Sequence, residues 1–237
     1  MEFKVTTIAK TPNPQQVTWC AMHQCYSSHP IGIEELPTEE KCGEIVVRRL
    51  LKGDRGHYGP LEHPQITFAC ANFPHSVMQQ ARTHRVGVSF DCQSMRYTAE
   101  HILMVAKGER LPEEVFYLRP VGEYGDRQGT RYEYTHELRE QHLSLIQDMC
   151  QSYADAVDMG MPYEQARGLI PFDVRQHFVV SFNLRSLMHF LDLRAKKDAQ
   201  LEIQKLCESM MMEFECWCPA IAQWYKENRW GKARLAP

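Results

Sequence analysis

At 237 residues, with 43% hydrophobic and 24% charged residues, the chain is long enough for one sizeable core and lies outside the compositions of disordered and fibrous proteins. A formal net charge of -3 argues against a protein that coats nucleic acid, which needs a basic excess, although a local patch is compatible with it. No stretch approaches the roughly 18 apolar residues of a membrane span, and MEFKVTTIAKTPNPQQ carries no secretory-type apolar segment, so the expectation is a cytoplasmic protein with neither membrane nor nucleic-acid partner.

The segments 15–26 and 38–52 read as helices. HYGPLEH follows, with His57, Glu62 and His63. Its spacing is not that of HExxH and no third ligand stands nearby, so hydrogen bonding to a ligand or to backbone is favoured over a metal site. Gln65–Ala71 alternates as a half-buried strand does, and a helix over 74–84 delivers Arg82, His84 and Arg85 to an irregular segment, VGVSFDCQSMRY. The stretch from about 100 to 130, with its charged core GERLPEEVFYLRPVGEYGDRQGTRYEY, reads as a surface excursion. Helical patterns follow at 132–158, 162–168 and 197–229, with a strand at 177–182 and a shorter helix after Asn183. Without repeats or linkers, residues 1–237 read as a single α+β domain. The nine cysteines match no paired CxxC zinc pattern and read as reduced thiols filling core space.

Two clusters could carry chemistry. In the first, Gln79, Arg82, Thr83, His84, Arg85, Gln93, Ser94 and Arg96 are accompanied by a single acidic residue, Asp91. Arginine forks fit phosphate with two parallel hydrogen bonds, so an anion site is one reading, and pairing of each arginine with a surface carboxylate is the other. Gln79 and Arg82, three apart on the expected helix, would share a face. The second cluster is NLRSLMHFLDLR, 183–194. Asn183 suits an N-cap, Leu184, Leu187, Met188 and Leu191 form the apolar stripe, and Arg185, His189 and Asp192 share the polar side. Arg194 falls at the flank of the stripe, where it needs either Asp198 or a ligand. Arg167, before Pro171, could simply satisfy helix-terminal carbonyls. A rival reading joins the arginines with Phe90, Tyr97, Trp217, Trp224 and Trp230 as a stacking surface for single-stranded nucleic acid.

In order along the chain, these segments resemble the flavin-dependent thymidylate synthases. That family's signature is RHR, about seven residues, Ser, then Arg-Tyr. Here Thr83-His84-Arg85 is followed by VGVSFDCQ and Ser94-Met95-Arg96-Tyr97, with Thr for the first Arg and an interval one residue longer. NLRSLMHFLDLRAKKDAQLEIQ follows the family's Asn-x-Arg-Ser-Leu helix without gaps, and HYGPLEH repeats a His and Glu-His arrangement with Gly59 where Ser or Thr is usual. The resemblance spans roughly 57–97 and 163–225.

What it implies is a homotetramer with shared active sites that methylates dUMP, using FAD, NADPH and methylenetetrahydrofolate and no cysteine nucleophile. Arg194 would activate the uracil ring, with Ser94 beside it as a phosphate or ring ligand. Gln79, Arg82, Gln93, Ser94, Met95, Arg96 and Arg167 would hold the nucleotide. Thr83, His84, Arg85, Asn183, Leu184, Arg185 and His189 would hold FAD, and His57 and Gly59 would reach FAD or the folate.

Overall fold

The computed structural model describes residues 1–32, 35–53, 57–126 and 128–232. In chain order it forms β1 (Lys4–Lys10), α1 (Pro14–Gln24), α2 (Glu39–Val46) with a π-helical turn at Val47–Leu51, a 3-10 turn at Gly59–Glu62, β2 (Gln65–Pro74), α3 (His75–Ala81) and β3 (Val88–Cys92). Then come α4 (Glu100–Ala106), α5 (Pro112–Val115), a hairpin of β4 (Gly122–Gly125) and β5 (Arg131–Tyr134), α6 (His136–Asp158), and α7 (Tyr163–Ala166) with a 3-10 turn at Arg167–Leu169. β6 (Arg175–Asn183), α8 (Leu184–Arg194), α9 (Leu201–Trp217) and α10 (Pro219–Asn228) complete it. One sheet has the order β1-β2-β6-β3, and the class is α+β as expected.

Backbone contacts divide the chain into two compact units, the first made of Met1–Lys4, Ala71–Gln80 and Asp91–Phe178, the second of Val5–Cys70, Ala81–Phe90 and Val179–Pro237. In unit one the core gathers Ile102 and Val105 of α4, Val115 and Phe116 at α5, Ile146, Cys150 and Tyr153 of α6, and Met95. This corrects the expected excursion at 100–130. The apolar run HILMVA ahead of the charged stretch forms a helix packed on α6, and Phe116 bridges Val174, while the Gly-rich part is a hairpin with Gly122 opposite Tyr134. Within the stretch, Arg127 lies outside the described residues.

In unit two, α8 packs on α9 and α1 on α2. Residues distant in sequence satisfy the N-terminal N–H groups of α1 and α10. Glu39 accepts the Gln15 and Gln16 N–H groups at 2.8 and 2.7 Å, and buried Gln15 accepts the Ala220 N–H at 2.8 Å through its Oε1. A Cβ on Gly43 would come within 2.6 Å of that Gln15 side chain, so glycine makes room for the cap. The expected helix over 197–229 is broken at Cys218, because Pro219 lacks the N–H that would continue the ladder and instead opens α10.

Two further expectations change. The helix expected over 74–84 ends at Ala81, whose carbonyl accepts the His84 N–H in a tight turn, and the segment expected to be irregular contains β3. All nine cysteines are free, but Cys25, Cys92 and Cys216 are exposed rather than filling core. Among the described residues no helix is long and apolar enough to cross a membrane.

Candidate functional site

In unit two, the segment Thr83–Gly87 lies antiparallel along α8. At the N-terminal end of α8, Asn183 caps the helix by accepting the Ser186 N–H at 2.8 Å, and its own N–H donates to the Gly87 carbonyl at 3.1 Å. The Ser186 hydroxyl donates to the Val86 carbonyl at 2.7 Å. A Cβ at Gly87, whose φ is +65°, would stand 2.3 Å from Asn183 Nδ2 and Ser186 Oγ, so only glycine allows this approach. At the other end Arg194 reaches back, Nε donating to His84 Nε2 and Nη2 to Thr83 Oγ1, both at 3.0 Å. The His84 ring meets His189 and Phe190 edge-on, with centroids 5.6 and 5.0 Å apart. Thus Thr83, His84, His189 and Arg194 converge, with Asn183 at the opposite end of α8, while Arg82 and Arg85 stand exposed. Leu184 is fully buried and its N–H donates to the Pro64 carbonyl at 3.0 Å, so its side chain serves the core.

The field here is positive. Burial, then Arg194 and His189, push the His84 imidazole down to about 4, and burial with Arg229, Arg185 and Arg194 lowers His189. Both rings are therefore neutral near pH 7, acceptors as well as donors. Burial also lowers Arg194 from its ordinary value. Asp192, expected on the polar side of α8, is instead buried and ion-paired to Arg229 of the C-terminal segment, and it accepts the Tyr225 hydroxyl at 2.9 Å. Burial holds its carboxyl above the ordinary range even so.

Glu62, from the 3-10 turn, pairs with Arg185 at 2.6 Å, and His57 Nε2 lies 3.8 Å from Cys25 Sγ. Gly59 is exposed, and a Cβ there would meet nothing within 4 Å. His57 also lines a cavity of about 700 Å³ with Trp19, His23, Tyr26, Arg48 and Arg49, in which the Trp19 and His23 rings stack with centroids 4.5 Å apart. Sequence reasoning missed this wall. The spacing of Trp19 and His23, four apart on one helix, was its visible sign, whereas the π-helical turn that carries Arg48 and Arg49 has none.

In unit one, Gln79 hydrogen-bonds His75 at 2.9 Å within α3. Because α3 stops at Ala81, Arg82 does not share a helix face with Gln79 as expected. Gln93 is locked to His177, donating its backbone N–H to the His177 carbonyl at 3.0 Å and accepting the His177 N–H through Oε1 at 2.8 Å. That leaves its amide NH2 for other partners. Ser94 turns the chain by accepting the Tyr97 N–H, and Arg96 pairs with Glu164 at 3.0 Å, both half exposed. Arg96, Tyr97 and Tyr163 line a cavity of about 380 Å³. Met95 is in the core, which leaves its backbone for any contact, and Arg167 is exposed in the 3-10 turn after α7. The rival stacking surface loses two members, since Trp217 and Trp224 are 4% and 8% exposed.

Residues 6–220 match the family described as Thymidylate synthase complementing protein. The chain is 33% identical to the flavin-dependent thymidylate synthase of Haloarcula marismortui over 249 aligned positions, covering 98% of this chain and 99% of that one. It is also 33% identical to the flavin-dependent thymidylate synthase of Halobacterium salinarum, covering 99% and 100%. The solved structure of the UMP/dUMP methylase PolB from Streptomyces cacaoi bound with 5-Br dUMP has the same fold, with a TM-score of 0.74 at 21% identity over 100% of this chain and 98% of that one.

Proposed function

The chain belongs to the flavin-dependent thymidylate synthases and is a methyltransferase, and we propose that it methylates dUMP to dTMP with methylenetetrahydrofolate as carbon donor, NADPH as reductant and FAD as cofactor. The observation that carries this reading is the convergence of Thr83 and His84 on Arg194 of α8, inside a family match that spans residues 6–220. The family match crosses both units, which supports treating residues 1–237 as one functional domain.

The donor set fits a flavin. Guanidinium at Arg185, neutral imidazoles at His84 and His189, and exposed Arg85 offer partners to a polar heterocycle and a diphosphate. Bound flavin supplies the reducing equivalents, and the protein supplies position and field. Arg194 opposes negative charge developing near uracil N3 and its flanking carbonyl, a role that contributes on the order of 3 to 4 kcal/mol if it behaves like an oxyanion-hole donor. Gln79, Arg82, Gln93, Ser94, Met95, Arg96 and Arg167 hold the nucleotide, the phosphate displacing Glu164 from Arg96, since such half-exposed pairs contribute little. Asn183 and Leu184 shape the flavin side through the helix start, with His57 and Gly59 reaching the flavin or the folate. The cavity at His57, with an aromatic wall and two guanidiniums, suits an aromatic co-substrate bearing carboxylates. No cysteine nucleophile is used, and Cys207, the thiol in the field of Arg194, is held protonated by burial. The assembly is a homotetramer whose subunits share active sites.

An anaerobic assay for dTMP from dUMP, methylenetetrahydrofolate, NADPH and FAD tests this. Product formation that depends on all four is expected, and a colourless protein that forms no dTMP would overturn it.

A further inference from the structure

We propose that Thr83 and His84 are positioning residues that clamp the Arg194 guanidinium in one plane for the methylation reaction. The inference rests on the reading that Arg194 addresses the uracil.

Nε and Nη2 form one edge of an arginine fork. Here that edge is held by two neutral acceptors on consecutive residues, His84 Nε2 and Thr83 Oγ1, each at 3.0 Å. A single bond would leave the group free to rotate about it, whereas two parallel bonds fix both plane and direction. The clamp itself cannot drift. His84 is wedged edge-on against His189 and Phe190, and the following residues are tied to the start of the same helix by Ser186 Oγ to the Val86 carbonyl and by the Asn183 N–H to the Gly87 carbonyl. Arg194 and its two acceptors therefore share α8 as a rigid frame, the condition for preorganised electrostatics.

The clamp depends on the residue type at position 83. An arginine at position 83 would only donate, and could not accept from Arg194. Threonine can. The clamp also requires an uncharged His84, because a protonated Nε2 would set a donor against a donor, and burial, then the neighbouring Arg194, favours the neutral ring.

The test measures the single-turnover rate of dTMP formation at saturating FAD and dUMP, the KM for dUMP, and the flavin absorbance spectrum. Thr83→Val removes the acceptor at nearly constant volume and is expected to slow methylation by about tenfold to a hundredfold, the worth of a hydrogen bond to a charged group, with KM and the saturated flavin spectrum unchanged. Thr83→Ser is expected to restore the rate, and His84→Gln, which keeps an acceptor oxygen near the Nε2 position, to exceed His84→Leu. A Thr83→Val enzyme with the wild-type rate, or a loss that Thr83→Ser does not repair, overturns the clamp. Arg194→Ala separates the two layers: retained dUMP methylation in that variant removes the underlying reading, whereas its loss alongside a fully active Thr83→Val removes only the clamp.

Discussion

His84 Nε2 accepts the Arg194 Nε–H at 3.0 Å, and since an arginine Nε only donates, the geometry fixes the imidazole tautomer with its proton on Nδ1. With its pKa pushed down to about 4, the ring stays neutral across the physiological range. An unfolded histidine titrates near 6.5, so as pH falls below that value the unfolded chain takes up a proton that the folded chain refuses, and stability declines until the folded ring also titrates near 4. NMR of the His84 ring should show flat shifts from about pH 8 to 5. An inflection near the ordinary histidine value would contradict the assignment.

Gly87→Ala is expected to be costly, because it combines a left-handed φ of +65° with a Cβ 2.3 Å from the Asn183 and Ser186 side chains. Strain at such a position together with a lost N-cap sums to about 2 kcal/mol or more. Urea denaturation measures it, and flavin retention should fall in parallel because the same contacts hold the Thr83–Gly87 segment on α8. Wild-type stability would mean that the loop relaxes without loss.

The sequence made this end of the site readable because its devices are local. Asn183 as N-cap, the apolar stripe through Leu184, Leu187, Met188 and Leu191, and the strand before them follow from period and capping alone. What escaped depends on distant partners. Asp192 looks like a polar-face residue until Arg229 and Tyr225, more than thirty positions away, enclose it. The helix through Glu100–Ala106 was hidden because the charged stretch after it masked a short apolar run whose partners lie on α6. The two residues beyond α3 that meet Arg194, Thr83 and His84, are more than a hundred positions from it in sequence, so no local signal announces the contact.

That buried pair can be tested directly. Arg229 and Asp192 are 5% and 2% exposed, so Asp192→Ala leaves a cation enclosed without its counter-charge, a change that costs roughly 3 to 5 kcal/mol. Replacing both residues by apolar side chains of similar volume should recover much of the loss. Equilibrium denaturation of the single and double variants decides it, and a single variant as stable as wild type would show that water reaches Arg229.

The cavity lined by Trp19, His23, Arg48 and Arg49 gives a kinetic prediction. If the guanidiniums meet carboxylates of the one-carbon donor, the Arg48→Ala/Arg49→Ala enzyme should show a KM for methylenetetrahydrofolate raised by about tenfold or more, at little change in kcat, as expected for lost uniform binding. An unchanged KM for the folate would assign the cavity elsewhere.

Gly59 stands where the family usually has a hydroxyl residue, in a 3-10 turn whose open surroundings leave a Cβ nothing to meet within 4 Å. Its backbone is not in the left-handed region, so neither space nor conformation demands glycine. Gly59→Ser should therefore change stability by no more than about 0.5 kcal/mol, the usual range at an exposed site. If this turn reaches the flavin, the added hydroxyl supplies a hydrogen bond that the natural chain lacks. The flavin dissociation constant should then fall roughly fivefold, as about 1 kcal/mol of net hydrogen bonding implies. Absorbance of retained flavin after dialysis measures this, and an unaltered dissociation constant in a stably folded Gly59→Ser protein would remove the turn from the cofactor site.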